Sequence, residues 1–265
     1  MSLPRRAGTV RPPRAIAPLA ALAVVFLLAP FVALLARAPW AGLLDLVRTP
    51  LVRQALWLSA RTSLGATALA VVLGVPLAWV LARARLPGRS LLRALVVLPM
   101  VLPPVVGGAA LLFAFGRRGV VGGPLHDATG FLLPYSAWGV VVANAFVALP
   151  FLVLTVEAGL RGVDARYEEA AATLGADPWT VLRRVTLPAL WPSLVTGAVL
   201  AWARALGEFG ATVTFAGNLP GRTQTMPLAV YLALGTDRDA AVALSLVLVA
   251  VSLAVLVPLR HRWLT

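Results

Sequence analysis

The sequence predicts an all-α integral membrane protein with six transmembrane helices, and three observations carry that reading. Of its 265 residues, 60% are apolar and only 12% are charged, against roughly 45–50% and about 25% in soluble domains. The apolar residues gather into stretches at about 15–36, 59–82, 94–115, 135–156, 193–215 and 240–259, each near the ~20 residues a helix needs to cross a bilayer. The arginines crowd the connections on one side. Spans and short connections use up the chain, so 1–265 reads as a single transmembrane domain.

The first span follows Arg5, Arg6, Arg11 and Arg14 and precedes Ala36-Arg37-Ala38, which has the form of a signal-peptidase site. Its apolar run is too long for a signal peptide, and Pro39 follows at once, so a retained helix is expected. The second span holds Gly74 and Pro76, a mild kink. The third reads LPMVLPPVVGG, with Pro99, Pro103, Pro104, Gly107 and Gly108. Each proline removes a backbone donor, and in lipid the freed carbonyls need partners, so this bend must face neighbouring helices or a cavity. Asn144 in the fourth span is expected to hydrogen-bond between helices.

In the fifth span, Arg204 and Glu208 stand four residues apart on one predicted helical face. Each costs about 2.5–3.5 kcal/mol at a helix centre, so both should face the bundle interior or a wet cavity. Two readings stand: a self-neutralising i,i+4 ion pair, or a pair that shapes the field along a permeation path. Gly207 and Gly210 permit close helix approach, and Thr212 and Thr214 continue with hydroxyls open to a polar substrate. In the connection 216–234, Asn218, Arg222 and Gln224 are either contacts for an arriving ligand or partner, or turn chemistry around Pro220-Gly221.

Orientation follows the arginines. Segments 1–14, 83–93, 157–192 and 260–265 hold fourteen; segments 37–53, 116–134 and 216–239 hold seven. The positive-inside rule then places both termini in the cytoplasm. The net charge of +13 is thus a topology signal, since the arginines flank spans rather than forming one nucleic-acid-binding stripe. The chain has no Lys and no Cys. That excludes a G-x-x-x-x-G-K-[ST] phosphate loop, Schiff-base chemistry, and disulfide or thiolate metal sites. His126 and Asp127 lack the further ligands a metal needs. No catalytic motif supports an enzyme.

Residues 157–192, EAGLRGVDARYEEAAATLGADPWTVLRRVTLPALWP, are the most informative. Asp164 caps a first short helix, Gly175 ends it in a left-handed turn, and Asp177-Pro178 restarts a second, which Leu187-Pro188 ends. The outcome is two short helices meeting at a corner. An amphipathic helix resting on lipid headgroups is the plain alternative. The spacing Glu169-Ala170-Ala171, three residues, Gly175, nine residues, Val185-Thr186-Leu187-Pro188 resembles the E-A-A–x3–G–x9–I–x–L–P loop of ABC importer permeases, with Val185 in place of Ile.

That resemblance, over roughly 50–260, implies a type I importer permease fold with a cytoplasmic coupling helix. Glu169, Ala170, Ala171, Gly175, Ala176, Asp177, Pro178, Trp179, Leu187 and Pro188 would dock on a separate ATPase subunit. ATP and Mg would be bound by that subunit, and this chain would hold no cofactor. The run ARALGEFGATVTFAGNLPGRTQTMPLAVY (203–231) resembles the tetrahedral-oxyanion branch, most like the molybdate type, with sulfate and thiosulfate permeases as near relatives. Read from the residues themselves, Arg204, Glu208, Gly210, Thr212 and Thr214 are candidates for the permeation path or gate, and similar Pro-rich segments in the permease family add Pro103 and Pro104. The resemblance also implies a second, identical permease chain, two ATP-binding cassette subunits and an external oxyanion-binding protein. The membrane would be the cytoplasmic (inner) one, and alternating access would move molybdate or tungstate across it. An ATP-independent channel or carrier is the other transport class.

Overall fold

The computed structural model describes residues 16–84 and 86–263. Arg5, Arg6, Arg11, Arg14 and Arg85, part of the orientation argument, lie outside them. The described residues form helices joined by turns. In order these are α1 (Ile16–Ala36), α2 (Leu43–Arg48), α3 (Pro50–Arg83), α4 (Arg89–Val101), α5 (Pro104–Phe115), α6 (Gly122–Thr129), α7 (Ala137–Gly162), α8 (Ala165–Thr173) and α9 (Pro178–Val181). A π-turn (Leu182–Thr186) leads into α10 (Leu187–Leu206), followed by α11 (Gly210–Ala216), α12 (Met226–Thr236) and α13 (Arg238–Trp263). Five helices are long and apolar enough to span a membrane, and a sixth span forms if α4 and α5 count as one bent pair.

The bundle is organised around α7, which is buried along most of its length between α3 and α10. Its contacts are made by small residues. Ala66, Ala70 and Ala78 of α3, Ala145 and Ala148 of α7, and Ala201 and Ala205 of α10 share one core with Leu152, Val153 and Leu160. In lipid there is no hydrophobic gain from pairing helices, so close backbone approach and dispersion must hold them, and small residues permit both. A second core joins Val52 and Ala55 of α3 to Met226 and Ala229 of α12 and Leu244 of α13. There Ser59 Oγ accepts the Met226 amide at 2.7 Å, which satisfies one orphan donor at the start of α12.

Four expectations need correction. The second span begins at Pro50 rather than near 59, because Thr49-Pro50 starts the helix with proline at N1, where its missing N–H costs nothing. The third span does not merely kink: the chain bends by 117° between α4 and α5, since Pro103 and Pro104 together withdraw two consecutive donors. The helix restarted at Pro178 does not stop at Leu187-Pro188. It runs on into α10, because Leu187 N–H reaches back to Leu182 O across the π-turn and Pro188 sits in the first turn of α10, a local widening that accommodates the ring. The fifth span is not one helix to 215; it breaks at Gly207–Phe209 and restarts as α11. The connections 116–134 and 216–234 also contain helix, α6 and most of α12.

Candidate functional site

The corner between α8 and α9 is built by backbone chemistry. Asp164 Oδ1 accepts the Arg166 amide at 3.0 Å and caps α8. At the other end Ala176 N–H donates to Ala171 O at 3.0 Å and Gly175 N–H to Ala172 O at 2.9 Å, with Gly175 at φ +85°. This is a Schellman stop, which needs a residue free to turn left-handed. Two residues on, Asp177 Oδ1 accepts the Trp179 and Thr180 amides at 2.9 and 3.2 Å, and its Oδ2 accepts Thr180 Oγ1 at 2.5 Å. These bonds, the Thr180 side chain first, hold the Asp177 carboxyl below the ordinary carboxylate range. The corner exposes Leu174 at 89% and Trp179 and Tyr167 at 67% each. Large apolar side chains exposed on a polar, charged turn suit contact with another protein or with lipid.

The corner is braced to the bundle by an acidic residue the sequence did not single out. Glu168 Oε1 accepts Thr186 Oγ1 at 2.8 Å and meets Arg83 Nη2 at 3.3 Å, so α8 is tied both to the π-turn and to the end of α3. Glu169, which the resemblance places on the docking surface, is exposed. In an Ala-rich helix neighbouring glutamates face different ways, and only the partners tell them apart.

A second missed residue is Glu157, on the last turns of α7 and 1% exposed. Its Oε1 lies 2.7 Å from Arg161, 2.8 Å from Arg93 and 3.9 Å from Arg89. One buried carboxylate thus gathers three guanidiniums, two from α4 and one from α7. The signal was present: arginines spaced i,i+4 at 89 and 93, and a glutamate four residues before Arg161. Sequence spacing alone does not bring α4 against α7.

At the far end of α10, about 26 Å along the helix from Leu187 to Arg204, the span break collects the other expected site residues. Arg204 Nη1 and Glu208 Oε2 meet at 2.6 Å, with Glu208 buried. Glu208 lies beyond the helix end rather than on the α10 face, and its Oε1 caps α11 by accepting the Ala211 amide at 2.7 Å. Gly210 sits against Pro104, where an added Cβ would stand 2.7 Å from the proline Cβ. A Cβ on Gly108 would stand 2.7 Å from Thr214 Cβ and 2.8 Å from Ala211 O. The broken third span and the broken fifth span are therefore packed on each other through glycine. The hydroxyls read as open are engaged: buried Thr212 donates to Asn144 Oδ1 at 3.0 Å and Thr214 to Gly210 O at 2.9 Å. Asn144 makes the interhelical bond expected of it. Pro103 and Pro104 are exposed.

Residues 217–225 show turn chemistry. Leu219 O accepts the amides of Arg222, Thr223 and Gln224, and Thr223 Oγ1 accepts the Leu219 amide at 2.9 Å. Gly221 takes φ +70°.

Residues 70–265 match the family model described as "Binding-protein-dependent transport system inner membrane component". The chain is 52% identical over 241 residues, 90% of each chain, to the molybdenum transport system permease protein ModB of Mycobacterium bovis. It is 39% identical over 223 residues to the sulfate transport system permease protein CysT of Escherichia coli, covering 84% of this chain and 80% of that one. The fold matches a chain in the crystal structure of a bacterial ABC transporter involved in the import of the acidic polysaccharide alginate, with TM-score 0.70 at 19% identity, over 93% of this chain and 92% of that one. The corner, the broken spans and the extent of these matches lead to one conclusion: the chain belongs to the family of inner-membrane components of binding-protein-dependent transport systems.

Proposed function

We propose that the chain is the permease subunit of an ATP-driven importer that moves molybdate, or tungstate, into the cytoplasm. The observation that carries the ATP-driven part is the braced corner at residues 164–188, with Leu174 and Trp179 exposed on it. The substrate part is supported by the higher identity to a molybdenum permease than to a sulfate permease.

In this reading both termini and the corner lie in the cytoplasm. Glu169, Ala170, Ala171, Gly175, Ala176, Asp177, Pro178 and Trp179, with Leu187 and Pro188 behind them, form the docking element for an ATP-binding cassette subunit. That subunit binds ATP and Mg; this chain has no ATPase site of its own. The corner suits the task mechanically. It is fixed at both caps, joined covalently to α7 and, through the π-turn, to α10, and tied to α3 through Glu168–Arg83. A rotation of the ATPase pair is therefore passed to three spans as a rigid-body movement. At the other end of α10 the movement reaches Arg204, Glu208, Gly210, Thr212, Thr214, Pro103 and Pro104, the proposed gate. A second identical permease chain completes the pathway, and a loaded binding protein docks on the external face.

The test is ATPase stimulation of the reconstituted transporter by its binding protein loaded with molybdate, tungstate or sulfate. Stimulation by the first two, with uptake, is expected. Stimulation by sulfate alone would overturn the substrate reading. Uptake by the permease without any ATPase would overturn the mechanism.

A further inference from the structure

Two cavities adjoin on the outward side of α3, at the end of the bundle opposite the corner. The larger, about 1130 Å³, is a groove between α3, α10, α12 and α13, with Leu64, Val195, Trp202 and Val251 among its apolar walls and Arg53 at one end. From Val195 to Leu206, which also line it, α10 rises about 16 Å. That matches half of a ~30 Å hydrocarbon core. The smaller cavity, about 350 Å³, is lined by Arg61, Arg222 and Ser136. Gln54 and Trp57 line both.

The depth of these cavities follows from α3 itself. Arg61 stands 22 residues before Arg83, about 33 Å along the helix. With Arg83 at one membrane boundary, Arg61 is at the other, where phospholipid headgroups lie and where tryptophans such as Trp57 concentrate. Charge is the second observation. Arg83, Arg89, Arg93, Arg161 and Arg204 all have carboxylate partners within 4 Å. Among the described residues Arg53, Arg61 and Arg222 have none, and neither do Arg37, Arg48, Arg117, Arg118, Arg183, Arg184 and Arg238; what sets Arg61 and Arg222 apart is that they line one cavity together. Two guanidiniums facing one small cavity repel each other until an anion stands between them, and the adjoining groove is apolar over the length of an acyl chain.

We propose that this is a binding site for an anionic phospholipid. An acyl chain fills the groove, and the phosphate is held over Gln54 and Trp57 by Arg61 and Arg222, with Arg53 at the groove mouth. The lipid would bridge α3, α13 and the 217–225 turn, beside the place where Gly221 of the turn comes up against Gln54 of α3.

The test uses the whole transporter, purified in mild detergent and examined by native mass spectrometry and by thermal stability against added phosphatidylglycerol, phosphatidylcholine or inorganic phosphate. Wild type should retain phosphatidylglycerol and be stabilised by it well above the other two. Arg61→Gln/Arg222→Gln should retain at least tenfold less. Ala198→Phe, which narrows the groove and leaves the arginines in place, should lose the lipid as well, so the proposal does not hang on one variant folding. Equal retention by wild type and the arginine variant would overturn it, as would equal protection by inorganic phosphate, which would make the site one for a free anion. The chain has no Cys, so Val195→Cys and Phe26→Cys chains can be mixed cleanly. A disulfide between them in the membrane would show that a second copy, not lipid, fills the groove.

Discussion

Glu157 on α7 and Arg93 on α4 meet at 2.8 Å, and that contact joins the broken third span to the helix that leads into the corner. Arg161 and Arg89 crowd the same oxygen, so the carboxylate offsets three positive charges at once. Removing it leaves those charges facing each other beside an apolar core. Breaking a buried ion pair from one side costs about 3–5 kcal/mol, and the half-exposed guanidiniums place this case near the lower figure. Glu157→Ala should therefore unfold at markedly lower temperature than wild type in detergent, with Glu157→Gln in between. An unchanged melting temperature for Glu157→Ala would show that water already screens the cluster.

Gly175 separates backbone strain from docking. No atom lies within 4 Å of a Cβ added there, so a side chain meets only the left-handed φ, which costs about 1–2 kcal/mol for an ordinary residue and less for Asn or Asp. Gly175→Asn and Gly175→Asp should both insert and fold. Gly175→Asp should nevertheless abolish uptake, because a charge is placed on the surface proposed to dock on the ATPase subunit. Normal uptake by Gly175→Asp would remove this corner from the docking surface.

Glu168 and Glu169 are expected to divide brace from contact. Glu168→Ala cuts the bonds to Thr186 and Arg83 while leaving the exposed face intact. It should keep ATPase binding but lower transport per ATP hydrolysed, several-fold in reconstituted vesicles. Glu169→Ala should instead weaken co-purification with the ATPase. Identical behaviour of the two variants would contradict the division.

The caps at Asp164 and Asp177 and the stop at Gly175 were legible because each depends on residues within one or two turns. The π-turn was not, since Pro188 read locally as a helix end and only the wider Leu182–Leu187 bond lets the helix continue. Nor were Glu157 and Glu168, whose roles depend on α4 and α3 arriving from 64 or more residues away. The Arg204–Glu208 spacing suggested a pair on one face. It did not show that Gly207 ends the helix and turns Glu208 into the cap of the next one.

The Asp177 cap carries a pH signature. Its folded-state pKa lies below the ordinary 3.8, so the cap's contribution is fully present above that value and is lost as pH falls through the lowered one. Hydrogen exchange at the Trp179 and Thr180 amides should therefore stay protected from neutral pH down to about 4 and open only below. In Asp177→Asn, where nothing titrates, protection should not vary with pH. Loss of protection in wild type near pH 5 or above would mean that another group controls the corner.

Arg204 and Glu208 allow structure and permeation to be told apart by a double-mutant cycle. Arg204→Gln strands a carboxylate that is 1% exposed at its side chain, a loss of about 3 kcal/mol or more. Glu208→Gln keeps an oxygen for the Ala211 amide and strands only the more accessible arginine, so it should cost less. The double variant has no uncompensated charge and keeps the cap; it should recover more than half of the Arg204→Gln loss in melting temperature. If the pair only neutralises itself, that stable double variant will transport normally. The broken fifth span packs Gly210 on Pro104 at this level, so the charges stand where two interrupted helices meet, and a neutral pair there should raise the KM for oxyanion uptake at least several-fold without preventing assembly. Wild-type KM and rate in the stable double variant would assign the pair to packing alone.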